Sequence, residues 1–209
     1  MNETGKPPEI IAQVVGSIAA VRFNRVTERN SLPVAILELL QLEISKLLER
    51  ADVHSIIFTG IDDVFLSGAD IRELAALNLT DARSFSERGQ QLFQRIADSG
   101  KLTIAAINGY CMGGGLDLAL ACDVRIASAS AVFAHPGARL GIITGWGGTQ
   151  RLPRIIGSSR TLELFVTARR FSSEEALKMG LITGIHDPVL KAALKLASEA
   201  RPISPQENG

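Results

Sequence analysis

Residues 103–123, TIAAINGYCMGGGLDLALACD, decide how the rest of the chain is read. An apolar run closes at Asn108-Gly109, three consecutive glycines follow at Gly113, Gly114 and Gly115, and an apolar segment with one acid, Asp117, comes next. That order predicts a strand, a tight loop and the start of a helix. Glycines allow backbone angles closed to other residues and leave no side chain between a ligand and the peptide N–H groups. The first N–H groups of a helix lack internal acceptors and lie at the positive end of its dipole, so they suit an anion or a developing oxyanion. Asp117 falls three residues after Gly114, close to one helical turn on, so a donor and a carboxylate can face one small volume. The same glycines also suit close helix packing, with Asp117 as a capping or solvated residue, and the segment alone leaves both readings open. It is neither a P-loop, since no Gly-Lys-Ser/Thr follows, nor a G-x-G-x-x-G dinucleotide fingerprint.

Upstream, residues 10–15 and 18–23 flank Gly16-Ser17 and read as a hairpin. The polar loop 24–31 holds two arginines and serves either as plain surface or as a phosphate holder. Apolar spacing predicts a helix over 33–50 with Pro33 in its first turn, and the β-branched run 53–59 predicts a buried strand. Val64-Phe65-Leu66 then leads through Ser67-Gly68-Ala69-Asp70-Ile71 into a helical pattern ending at Leu77, a second strand, small-residue loop and helix start. Two such places can aim two N–H groups at one oxygen, which is an oxyanion hole. Another amphipathic helix spans 80–99, with Thr80 or Asp81 near its cap.

Downstream, strands are expected at 124–127 and 132–134, a loop at 135–139, and a glycine-rich turn at 141–148 around the only tryptophan, Trp146, which reads as a packing residue. Helices follow at 150–156, 160–167 and 172–179, the last capped by Ser172. A strand-like piece at 181–185, a helix at 188–200 and a polar tail close the chain. The division is a core over 1–186, with 1–8 a loose lead-in, and a short helix and tail over 187–209.

With 209 residues, 46% of them hydrophobic, the chain fills one core. Lys plus Arg and Asp plus Glu both number 22, so the overall charge favours neither nucleic acid nor an anionic membrane. Cys111 and Cys122 sit among apolar residues and read as reduced packing residues. The segment MNETGKPPEI has no apolar signal core and no run reaches membrane-spanning length. A soluble, cytoplasmic protein without a bound metal is expected.

With these pieces in order, the chain resembles the crotonase family, the enoyl-CoA hydratase/isomerase superfamily. The resemblance is carried by NGYCMGGGLDLALACDVRIAS, preceded by SGADI and followed by GGTQRLPRIIG and EEALKMGLI. It implies an α/β fold, a spiral of repeated ββα units, and an acyl-CoA thioester whose enolate is stabilised in an oxyanion hole. On this chain the resemblance places the two N–H donors on Ala69 and Gly114. It also places coenzyme A contacts on Glu28, Arg29, Ser67, Asp70, Ile71 and Arg72. No permanently bound cofactor is implied, coenzyme A being part of the substrate, and a homo-oligomer, trimer or hexamer, is the expected assembly.

Hydratases of the family use two glutamates on one water. Asp117 and Gly137 stand at those positions here, so Asp117 is the one retained acid/base. The dienoyl-CoA isomerases carry an aspartate at the Asp117 position but have acids where this chain has Gly137 and Gly145. A branch resembling dihydroxynaphthoyl-CoA synthase has glycine at the second acid and uses bicarbonate as base. The run Gly145-Trp146-Gly147-Gly148 is similar to its turn, although Thr144 replaces its aspartate. His135, two residues before Gly137, is the nearby side chain able to exchange protons near neutral pH. Family members also continue past EEALKMGLI with several helices, where one helix and a tail remain here. Three readings follow: a hydratase- or isomerase-type enzyme, a lapsed acyl-CoA binder, or an enolate enzyme with an external base.

Overall fold

The computed structural model describes residues 7–200; the tail and residues 1–6 of the lead-in lie outside the described residues. β1 (Ile10–Val15) and β2 (Ile18–Phe23) form the expected hairpin, in register from Ile10↔Phe23 to Val15↔Ile18. After β3 (Ser31–Leu32), α1 (Val34–Glu49) starts directly behind Pro33, whose fixed φ suits a helix entry. It buries Ile36, Leu37, Leu40, Ile44 and Leu47, one helical stripe. β4 (Ser55–Thr59) is buried at every residue, as a central parallel strand should be.

β5 (Val64–Leu66), β6 (Gly68–Ala69) and α2 (Ile71–Ala76) follow, then α3 (Leu79–Ala97). Next come β7 (Leu102–Ile107), β8 (Tyr110–Met112) and α4 (Gly114–Ala121), the last buried along its whole length. β9 (Val124–Ala127) and β10 (Val132–Ala134) lead to a 3₁₀ turn, Pro136–Leu140. α5 (Gly148–Ile156), α6 (Ser158–Thr167), β11 (Phe171–Ser172), α7 (Ser173–Met179), β12 (Gly184–Ile185) and α8 (Val189–Glu199) complete the described residues.

The large sheet has the order β1-β2-β4-β7-β9-β12 and the small one β11-β10-β8-β5, while β3 and β6 pair alone. From β4 onward each unit gives one strand to the large sheet and the next to the small sheet before turning into helix: β4 and β5, β7 and β8, β9 and β10. This is the repeated ββα spiral implied by the resemblance. The core lies between α1, the large sheet and α4. On the sheet's other face, Val189, Ala193 and Ala197 of α8 pack on Ile57, Ile104, Ala106 and Ile126.

Several boundaries differ from the sequence reading. The stretch taken as loop before the glycines contains β8, paired with both β5 and β10. β3, β6 and β11 have two residues each, too few for any periodicity, and exist because a partner strand is near. The cap of α3 is Asn78, whose side chain accepts from Asp81 N at 2.9 Å, in place of Thr80 or Asp81. Residues 135–139 are largely in the 3₁₀ turn, α5 and α6 begin two residues earlier than expected, and of 181–185 only Gly184–Ile185 is strand.

Trp146 fastens α3 to α4. Its ring lies 5.1 Å from Phe85 and 5.7 Å from Phe93, both on α3, and its Nε1 donates to Phe85 O. A Cβ on Gly89 of α3 would fall 2.2 Å from the indole, and one on Gly114 of α4 would fall 2.4 Å from it. Gly89→Ala should therefore reverse the usual helix gain of about 1 kcal/mol into an overpacking loss of about 1–3 kcal/mol. Chemical denaturation of the two proteins checks the sign.

Candidate active site

β6 and the start of α4 approach with almost nothing between them. A Cβ on Gly68 would lie 3.0 Å from Gly114 N, and one on Gly114 would lie 3.5 Å from Ala69 N. Gly113, at φ +50° and ψ −118°, makes the bend that α4 needs to begin there, a conformation costly for any side chain. Its N–H donates to Ala134 O at 2.9 Å, which ties the bend to β10. Gly114 is the first residue of α4, where an N–H has no acceptor within the helix.

A cavity of about 310 Å³ opens over these groups. Ala69, Gly114, Asp117, His135 and Gly137 all line it, so the sequence-predicted catalytic set converges, together with Ser67 and Ile71 from the predicted coenzyme A set. Its remaining wall is mostly apolar: Leu74, Leu77, Phe85, Leu140, Ile142 and Ile143. No Lys or Arg is among its lining residues. Glu28, Arg29, Asp70 and Arg72 stand outside it.

Asp70 caps α2, accepting from Arg72 N at 2.8 Å, and pairs with the Arg72 guanidinium at 2.6 Å. Hydrogen bonds from the Arg72 side chain, then its N–H, hold the Asp70 carboxyl down at about 2. The Arg72 side chain is 80% exposed and feels the Glu28 charge. Arg29 lies over the Tyr110 ring at 4.9 Å and 3.7 Å from Asp63.

Asp117 is 1% exposed and His135 is 4% exposed. Asp117 Oδ2 accepts from the Thr144 hydroxyl. Its Oδ1 faces His135 Nε2 at 3.2 Å, but the pair is not aligned as a hydrogen bond and each atom is left without a partner. Phe165 sets the imidazole, edge to face at 5.1 Å. α5 begins against this pair: a Cβ on Gly148 would lie 2.3 Å from Asp117 Oδ1 and 3.0 Å from His135 Nε2. Thr144 was seen in the sequence only as a replaced aspartate. Its contact with Asp117 spans 27 positions, and no local pattern announces it.

The second-acid position is closed as well as vacant. A Cβ on Gly137 would come 2.7 Å from Ile142 O and 3.6 Å from Ile143 Cα. The main chain of the turn after the 3₁₀ segment fills the space in which a glutamate would start. Both cysteines are buried and free, as expected. Burial raises the Cys122 thiol to about 12, and burial followed by the Asp117 charge raises that of Cys111. No described helix is long and apolar enough to cross a membrane.

A family model described as enoyl-CoA hydratase/isomerase matches residues 13–206. The probable enoyl-CoA hydratase of Bacillus subtilis is 41% identical over 200 residues, covering 94% of this chain and 78% of that protein. The short-chain-enoyl-CoA hydratase of Clostridium acetobutylicum is 35% identical over 193 residues, covering 91% and 74%. The crystal structure of an enoyl-CoA hydratase from Bacillus anthracis matches with a TM-score of 0.87 at 36% identity, over 92% of this chain and 76% of that one. DspI of Pseudomonas aeruginosa matches with a TM-score of 0.89 at 31% identity, over 97% and 85%.

The chain belongs to the enoyl-CoA hydratase/isomerase family, in the crotonase superfamily. It is a hydratase/isomerase-type enzyme acting on acyl-CoA thioesters. Its departure from a two-glutamate site gives a direct test. Gly137→Glu should lower stability by about 1–3 kcal/mol through the Ile142 clash and leave the rate of enoyl-CoA hydration no higher. Thermal unfolding and a hydration assay read the two effects.

Proposed function

We infer that this enzyme binds the thioester carbonyl oxygen at the N–H groups of Ala69 and Gly114 and uses Asp117 to move a proton at the α-carbon of the acyl group. The observation that carries the reading is the convergence of both donors and one buried carboxylate on a single cavity. A thioester enolate places its charge on oxygen, and two fixed donors in a site shielded from water stabilise it strongly. The acyl chain lies against Leu74, Leu77, Phe85 and Ile143. With Asp117 as an acid in this wall and no Lys or Arg, the site favours an uncharged hydrocarbon acyl group over one ending in a carboxylate.

Coenzyme A enters as part of the substrate, and no other cofactor is held. Ser67 and Ile71 contact the thioester end at the mouth of the cavity. Asp70 fixes the start of α2, while the exposed guanidiniums of Arg29 and Arg72, with Glu28 beside them, meet the phosphate end. The enzyme works in the cytoplasm. It also assembles as a homo-oligomer, trimer or hexamer, a reading supported by Leu162 and Val166, which stand 63% and 64% exposed one turn apart on α6.

The lapsed-binder reading draws on the closed position at Gly137, and one substitution separates it from the enzyme reading. Asp117→Asn should lower kcat/KM for a short enoyl-CoA by about 10²- to 10⁴-fold while a titration shows acyl-CoA still bound. Binding without turnover in the unaltered protein would leave only the binder. For the assembly, sedimentation should give a multiple of the single-chain mass, and Leu162→Glu should shift it towards the monomer.

A further inference from the structure

We propose that His135 is the second proton-transfer residue of this site and forms one working unit with Asp117. The inference rests on the role given to Asp117 above. A reaction that adds water across a double bond needs one group to take a proton from the water and another to give one to the α-carbon. Gly137 offers no side chain, and Ile142 O lies 2.7 Å from where one would begin. His135 lines the same cavity, and its buried Nε2 has no hydrogen-bond partner.

The geometry around the pair is built for it. Thr144 occupies Asp117 Oδ2, which leaves Oδ1 as the oxygen turned to His135, 3.2 Å away. Only a residue without a Cβ fits at position 148, where a Cβ would strike both Oδ1 and Nε2. Phe165 packs against the imidazole edge to face, 5.1 Å between ring centres. The other charged or titratable groups acting at this point are the Cys111 thiol, which burial keeps neutral, and Arg151 of α5, which feels the Asp117 charge. One proton shared by Asp117 and His135 leaves the pair with no net charge, the arrangement that costs least in a buried site. Contacts of this kind are often misaligned until substrate binds.

In the hydration direction the cycle begins with that proton on Asp117. The imidazole takes a proton from water as the water oxygen bonds to the β-carbon. The electron pair of the carbon–carbon double bond shifts to form the enolate, whose oxygen is held at Ala69 and Gly114. The α-carbon then takes the proton of Asp117, and the thioester carbonyl reforms. The imidazolium and carboxylate that remain restore the starting state when one proton crosses from Nε2 to Oδ1. Water has been added, and no external base is consumed.

The test separates the two halves of the cycle. His135→Gln and Asp117→Asn are assayed for hydration of a short trans-2-enoyl-CoA and for deuterium uptake at the α-carbon of the matching saturated acyl-CoA in D₂O. The expected result is that His135→Gln loses hydration by about 10²- to 10⁴-fold but keeps α-exchange, while Asp117→Asn loses both. Hydration at the original rate in His135→Gln, or loss of both reactions in it while it still binds acyl-CoA, overturns the role of His135 and leaves that of Asp117 standing. Asp117→Asn that keeps both reactions overturns the reading on which the inference rests. If His135→Gln does not fold, the unaltered enzyme supplies the readout: hydration should show a pH limb absent from α-exchange, and coincident profiles overturn the proposal.

Discussion

Main chain meets main chain at the centre of this molecule, and side chains have been removed to let it happen. The segment carrying Ala69, the first turn of α4 and the turn leading into α5 crowd around one point. Gly68 leaves room for the Met112 carbonyl and Gly114 N, while Gly114 and Gly148 leave room for the Trp146 ring and the Asp117 carboxyl group; a Cβ at any of the three would fall within 3.0 Å of a neighbour. Backbone N–H groups positioned in this way cannot swing away as a side-chain donor can, so the cost of orienting them is met during folding. The fully buried α4 behind them gives the start of the helix a rigid backing.

Putting Asp117 on that helix has its own cost. A carboxyl group 1% exposed is costly to bury unless its oxygens find partners. Thr144 matches one of them, and His135 stands opposite the other. The residues beside the acid flank the 3₁₀ segment: His135 immediately precedes it, and Thr144 lies in the turn after it, which also presents the Ile142 carbonyl to Gly137. Closure of the position at Gly137 and the Thr144 contact to Asp117 are thus two effects of one turn.

The sequence made the hairpin, the helix stripes and the glycine segment legible because each is a local pattern. The spacing of Ile36, Leu37, Leu40, Ile44 and Leu47 announces α1, and Gly16-Ser17 between apolar runs announces β1 and β2. The two-residue strands carried no such signal, since their existence depends on partners distant in the chain, as with Leu32 and Ala69. Family resemblance located Ala69, Gly114 and Asp117, and the cavity brings them together. It treated the position at Gly137 as empty, whereas the main chain of Ile142 occupies the adjoining space. Loop conformation of that kind is set by packing and leaves no mark in residue type. Trp146 read as packing, and it packs, but its reach across α3 and α4 was visible only in three dimensions.

The small ladder of β3 and β6 ties the polar loop after the hairpin to the segment carrying Ala69. Leu32 is paired with Ala69, the Asn30 amide holds the carbonyls of Val64 and Phe65 at 2.9 and 3.1 Å, and Glu73 accepts from Val34 N at 2.9 Å. Residues some forty positions apart therefore behave as a single stiff plate. A length change in the loop around Arg29 has no slack in which to dissipate and is passed as a displacement to the peptide of Ala69. An outwardly ordinary surface loop is in this way held to the tolerances of the centre of the fold.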